Sequence, residues 1–161
     1  MLSQTAEYAL RVAVHLASLG GKPATTREIA AATRVPVGYL SKVLQGLSRG
    51  GLVSSQRGLH GGSVLTRPPE ELSVYDVIQA IDPIRRIRSC PLGLKGHGKN
   101  LCPLHKRLDE AMESVEKAFR DSTLADLLSE PATSKPLCDA GTGDARQKRD
   151  RPVRLTVTRR R

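Results

Sequence analysis

Two of the chain's three cysteines and two of its four histidines fall within residues 90–105, in the order Cys90, His97, Cys102, His105. Thiolate and imidazole at this density are ligands for iron or zinc, or the makings of a redox switch. No tight Cys-x-x-Cys knuckle is present, which counts against zinc. Cys102 stands immediately before Pro103. Proline suits the first position of a helix, because its missing N–H would be unpaired there anyway. That places Cys102 at the N-cap, where the helix dipole and free N–H groups favour a thiolate. Lys95, Lys99 and Lys106 push the same way. His105 lies three residues further on, so both side chains can face one metal. Three readings stay open: metal or cluster binding, a thiol redox switch, and an inert loop cysteine.

The elements that must position this loop are legible from spacing. Residues 4–19 carry Leu10, Ala13, Val14 and Ala17 at helical intervals and stop at Gly20-Gly21. Thr25 or Thr26 can cap a short helix over 27–32, with Glu28 complementing its dipole. Pro36 biases Val35 away from helix. A second helix over 37–49 puts Leu40, Val43, Leu44 and Leu47 on one face and ends at Gly50-Gly51. Two helices joined by so short a turn have helix-turn-helix proportions. A β-like run at 52–56, a glycine-rich turn and a return strand at 63–66 then make a hairpin wing. Ser73 caps the next helix, whose Val74, Val77, Ile78 and Ile81 share a face.

From Pro103, Leu104, Leu108, Ala111, Val115 and Ala118 recur at steps of four and three, widened by Met112 and Phe119. This is a helix over 103–122 with an a/d-like seam, able to pack on the body and on a second copy. A short amphipathic piece follows at 123–128. Beyond Pro131 apolar periodicity is lost, and the tail reads as disordered.

Charge identifies the partner. The 161 residues carry a formal net charge of +10, with a pI of about 10.1. Residues 131–161 hold nine Lys/Arg against three Asp/Glu, a net of +6, which leaves +4 on residues 1–130. Within 24–66, five basic residues face only Glu28, again +4, so the body's excess coincides with the helix-turn-helix and wing. Double-stranded DNA is the expected partner. Thr26 and Arg27 are assigned to its backbone. Tyr39, Ser41 and Lys42 are assigned to the major groove or its phosphates, Gln45 to a base edge, and Arg49 to the exposed face. Arg57 and Gly58 at the wing tip suit the minor groove. His60 suits either a phosphate or a solvated turn. The Arg159-Arg160-Arg161 end can add salt-dependent DNA affinity or simply solubilise.

Other classes fit poorly. No stretch approaches the ~18 apolar residues of a membrane span. The start, MLSQTAEYALR, lacks a basic signal region, and three cysteines make no disulfide framework. A reduced, cytoplasmic protein follows. No nucleophile–base pair, phosphate-binding loop or paired carboxylate points to an enzyme. A protein-binding adaptor would leave the basic wing unexplained. His15 reads as packing and Cys138 as an incidental tail thiol.

The stretches MLSQTAEYALRVAVHLA and TREIAAATRVPVGYLSKVLQGLSRGGLVSSQRGLHGGSVLTRPPEELSVYDVIQAID resemble the Rrf2 family of bacterial transcription regulators. The likeness runs from residue 1 to about 128, and the VPVGYLSKVLQGL helix and RGLHGG wing are its most specific parts. It implies a mainly α fold: a winged helix-turn-helix DNA-binding domain with a small β-hairpin wing and a long C-terminal dimerisation helix that crosses its partner. The implied divisions are a DNA-binding domain at 1–82, a sensor loop at 83–102, dimerisation and terminal helices at 103–130, and a basic tail at 131–161. The implied function is a transcription regulator, a repressor acting as a homodimer.

Several members carry an iron–sulfur cluster in this loop and sense redox state, nitric oxide, iron or cluster status; others lack one. Cluster-bearing members typically place three cysteines there, whereas this loop has Cys90 and Cys102 with eleven residues between them. Some relatives recruit an acidic residue from the first helix of the other subunit, and Glu7 matches that place. The implied ligand set is Cys90, Cys102, His105 and Glu7, with His97 as substitute, and a two-iron two-sulfur cluster is favoured. The alternative is a cluster-free regulator responding to a small molecule or to thiol oxidation.

Overall fold

Capping side chains and glycines decide where each helix begins and ends. The computed structural model describes residues 2–56, 58, 61–91, 93 and 101–130. Helix α1 (Gln4–Ser18) starts at Ser3, whose hydroxyl accepts from the Ala6 N–H at 3.2 Å. Gly20 and Gly21 follow it with φ of 59° and 84°, a left-handed pair that only glycine adopts cheaply. Helix α2 (Thr26–Thr33) is capped by Thr25, and Glu28 closes a capping box by accepting from the Thr25 N–H at 2.7 Å. Arg34, at φ 54°, turns the chain toward α3 (Val37–Arg49).

The wing is an antiparallel pair, β1 (Val53–Gln56) and β2 (Gly62–Leu65), registered Val53 to Leu65 and Gln56 to Gly62. Its root is tied to the body by a two-bond bridge, Ala24 N–H to Ser63 O at 3.0 Å and Ser63 N–H to Ala24 O at 2.8 Å. Gly62 permits this approach, since a Cβ there would lie 2.8–2.9 Å from the Ala24 backbone. Arg57 and His60 lie outside the described residues.

After a 3₁₀ turn at Pro69–Glu71 come α4 (Val74–Ile81), α5 (Pro103–Arg120) and α6 (Leu124–Ser129). Ser73 with Asp76 and Thr123 with Asp126 form two further capping boxes. The two caps also meet each other: Val74 N–H donates to Ser122 O at 2.9 Å, and Leu124 N–H to Leu72 O at 2.8 Å. This capture of Ser122 stops α5 at Arg120, two residues before its expected end at 122.

The core lies beneath α1, whose Ala6, Ala9, Val12, Ala13 and Leu16 are buried against α2, α3, α4 and α6. Ile29, Leu40, Val43, Leu47, Leu72 and Leu124 complete it, all fully buried. It is aliphatic, as the 2% aromatic content requires. His15 is half-buried on α1, and burial pushes its pKa down against the opposing pull of Glu28. By contrast, α5 buries none of its residues.

Leu124 therefore carries much of the attachment of α5. Leu124→Ala is expected to lower unfolding stability by about 2–5 kcal/mol, the usual cost of such a cavity. Urea denaturation followed by circular dichroism measures it. A loss under about 1 kcal/mol would show that α6 does not complete the core.

Candidate nucleic-acid interface and cysteine loop

The buried arc of α3 (Leu40, Val43, Leu44, Leu47) leaves the opposite arc to solvent. Gly38, Tyr39, Ser41, Lys42, Gln45 and Arg49 are all exposed there, as are Thr26 and Arg27 in the first turn of α2. Gly58 is exposed at the wing tip, with φ 118°. The structure thus brings the expected side chains of α2, α3 and the described part of the wing to solvent. Val37 is a residue that spacing alone misses. Its interval to Leu40 and Leu44 continues the apolar row, yet it stands 58% exposed, because Val35 takes the buried place before Pro36 at 2%.

Tyr39 is braced from below. The Tyr8 ring meets it edge-on, with centroids 6.0 Å apart, and the Arg11 guanidinium lies 5.7 Å over Tyr8. Arg11 also donates to Glu7 at 2.8 Å and to the Thr33 carbonyl at 3.4 Å, just before the left-handed Arg34. Glu7 is thus engaged within its own chain, a partner that sequence spacing did not single out.

In the cysteine loop, Cys102 is the N-cap of α5 and Pro103 its first residue. The Cys102 Sγ lies 3.3 Å from His105 Nδ1, so the i, i+3 spacing does bring these two donors together. Cys90 is partly buried. His97, Lys95, Lys99 and Cys138 lie outside the described residues. Among the described residues, no three His, Cys, Asp or Glu side chains converge on one point.

The segment leading to Cys90 is clamped to α5. Arg86 holds Asp109 bidentately, Nε to Oδ1 and Nη2 to Oδ2 both at 2.7 Å, and the Ile87 N–H adds a third bond at 2.8 Å. Glu113 and Glu116 lie 3.4 and 3.5 Å from the same guanidinium. The hydrogen bonds from Arg86 hold the Asp109 carboxyl down to about 2, and the Arg86 pKa rises in return. Glu116 is also lowered, first by Arg120 and then by Tyr75. Arg120 in turn lies 3.5 Å over the Tyr75 ring of α4, a cation–π contact. At the far side of α4, Ile81 and Ala80 press on Gly46 and Gly50 of α3, where added Cβ atoms would come within 2.4 and 2.6 Å.

Leu104, Leu108, Met112 and Val115 leave a seam along α5 that is 65, 46, 37 and 47% exposed. Leu108, Met112 and Val115, with Leu2, Pro83, Ile84 and Phe119, border a groove of about 620 Å³. No helix among the described residues is long and apolar enough to cross a membrane.

Comparison with known proteins agrees with the winged helix-turn-helix fold. A family model described as Rrf2, iron-dependent transcriptional regulator, matches residues 2–130. A protein of Mycobacterium tuberculosis named as an HTH-type transcriptional regulator is 37% identical over 131 residues, spanning 78% of this chain and 80% of the relative. Two solved structures are similar. CymR (YrzC), the global cysteine regulator of B. subtilis, gives a TM-score of 0.64 at 27% identity, covering 79% of this chain and 95% of its own. T. potens IscR gives 0.65 at 25% identity, with 80% and 85% covered.

The clamp has a pH signature. Because the Asp109 pKa is depressed on folding, its contribution is complete above the ordinary carboxylate value of about 4 and is lost as pH falls toward 2. Urea midpoints measured from pH 7 to pH 2 should therefore converge for wild type and Asp109→Asn at the acid end, with the variant less stable at neutral pH. Parallel curves would remove the clamp from the stability of the fold.

Proposed function

The chain belongs to the Rrf2 family of transcriptional regulators, and from that premise we propose that it is a cytoplasmic, homodimeric repressor governed by its 90–105 loop. It is a regulator and not an enzyme, as its relatives are. Two α3 helices enter successive major grooves of a two-fold operator, about one helical turn apart. The α5 seam covers that of a second copy, since an apolar row of this length otherwise stays in water. Thr26, Arg27, Lys42 and Arg49, with Arg57 and His60 of the wing, meet the DNA backbone and minor groove. Tyr39, Ser41 and Gln45 meet the major groove.

The observation that carries the sensing role is the Cys102–His105 pair in the first turn of α5, 3.3 Å apart. A cysteine sulfur and an imidazole nitrogen held this close to each other are donor types that fit an iron site. One chain supplies no convergent third donor among the described residues. Cys90, and Glu7 of a second copy or His97, complete the set. Bound there, an iron–sulfur cluster, two-iron two-sulfur favoured, supplies reversible one-electron chemistry. The chain's own residues do the rest. Cys102 and His105 tie the occupied loop to the start of α5, and Arg86 ties the segment before Cys90 to Asp109 one turn further along. A change at the loop thus displaces α5, then α4 through Arg120 on Tyr75, then α3 through Ile81 on Gly46.

A second reading is a cluster-free regulator that responds to thiol oxidation. The Glu7–Arg11 pairing within one chain favours it, as does the likeness to a global cysteine regulator.

Iron and sulfide analysis of anaerobically purified protein, paired with operator affinity, separates the two. The cluster reading expects stoichiometric iron and sulfide, and an affinity change of about tenfold or more when the cluster is removed or when Cys90 and Cys102 become Ala. Equal affinity in all three forms would contradict a sensing loop. Protein without iron or sulfide whose affinity changes on thiol oxidation would support the second reading.

A further inference from the structure

Among the described residues, seven large apolar side chains are more than a third exposed. Five of them (Leu2, Leu104, Leu108, Met112 and Val115) line the groove and seam of α5. The other two are Val37, at 58%, and Tyr39, at 53%, both in the first turn of α3. An apolar pair on an otherwise polar, basic face marks a contact surface, because exposing it to water alone is unfavourable.

The local geometry says what it contacts. At 100° per residue, Gly38 points along the centre of the exposed arc, and Val37 and Tyr39 flank it on either side. A Cβ added at Gly38 would meet nothing within 4 Å, so the helix end presents bare backbone between the two side chains. A base-pair edge can approach that notch closely. Val37 is held in place. Pro36 precedes it as N-cap, and a β-branched side chain has one strongly preferred rotamer in a helix. Its methyl groups therefore sit at a fixed place beside the notch. Tyr39 on the other flank is braced by Tyr8 and carries a hydroxyl, so it can serve a phosphate as well as a base. Val37 has no polar atom and can recognise only an apolar group. In the major groove the base-edge apolar group is the 5-methyl of a pyrimidine, which in unmodified DNA means thymine.

We propose that Val37 is a specificity-determining residue that reads the 5-methyl group of one thymine in each half-site, beside the notch left by Gly38. The assignment rests on the proposed entry of α3 into the major groove and adds to it the identity of one base. It accounts for a branched aliphatic residue at a place where solvent alone would favour a polar one. Lys42, Ser41 and Gln45 act through charge and hydrogen bonds, so the methyl contact is separable from theirs.

The test is a thymine-to-uracil scan, which removes the 5-methyl and leaves every hydrogen-bonding group in place. A tight duplex is first selected from a random pool with the full chain. Each thymine is then replaced in turn, and binding is measured for wild type, Val37→Ala and Val37→Ile. At one thymine per half-site, uracil is expected to weaken wild type about fourfold, the worth of one buried methyl. Val37→Ala should be indifferent to the same change, and Val37→Ile should keep the preference. Indifference of wild type at every thymine, or an undiminished preference in Val37→Ala, would overturn the assignment while leaving DNA binding intact. Failure of wild type to enrich any duplex would overturn the DNA-binding reading itself, and this assignment with it.

Discussion

The position of α5 depends on a bridge two hydrogen bonds wide. The caps of α4 and α6 lie side by side, with Val74 N–H on Ser122 O and Leu124 N–H on Leu72 O. Leu72 and Leu124 fill the core directly beneath them. Each capping box is worth on the order of 1 kcal/mol. Together with the burial of Leu124 they hold the end of a helix none of whose residues is fully buried. The rest of its attachment is electrostatic: Arg86 on Asp109, and Arg120 stacked on Tyr75. A helix fixed at its end and along its polar face keeps its apolar seam outward. The proposed pairing of two copies would cover that seam.

The same attachments make α4 the middle of a continuous line. One face of it receives Arg120 from α5, while Ala80 and Ile81 press on Gly50 and Gly46 of α3. There is no slack at Gly50, where Ala80 leaves no room for a Cβ, and close-packed contacts transmit displacement rather than absorb it. Ile81 is also the last residue before the segment that runs through Arg86 to Cys90. The proposed sensor loop therefore touches the proposed reading helix through a single short element. Regulation by small movements is a natural consequence of that arrangement.

Much of this was legible in the sequence, for local reasons. Gly20-Gly21, Pro36, Gly50-Gly51 and Pro103 punctuate the chain, and α3 and the start of α5 fall where those residues put them. The caps at Ser73 and Thr25, and the N-cap place of Cys102, follow from the same short-range chemistry. What was not legible is long-range. Nothing in the spacing tells that Ser73 will meet Thr123, or that Arg86 will find Asp109 twenty-three positions on. Glu7 looked available as a ligand, whereas Arg11, one turn further along α1, occupies it. Val37 shared the spacing of the core row, and its exposure depends on Val35 filling the place first.

In the proposed complex, two copies of this chain, paired through α5, place two α3 helices on one operator. Native mass spectrometry of the full chain on its selected duplex tests that most directly. The expected complex holds two chains per duplex, and Leu108→Glu with Met112→Glu should abolish it. One chain per duplex at undiminished affinity, unaffected by those substitutions, would contradict the claim.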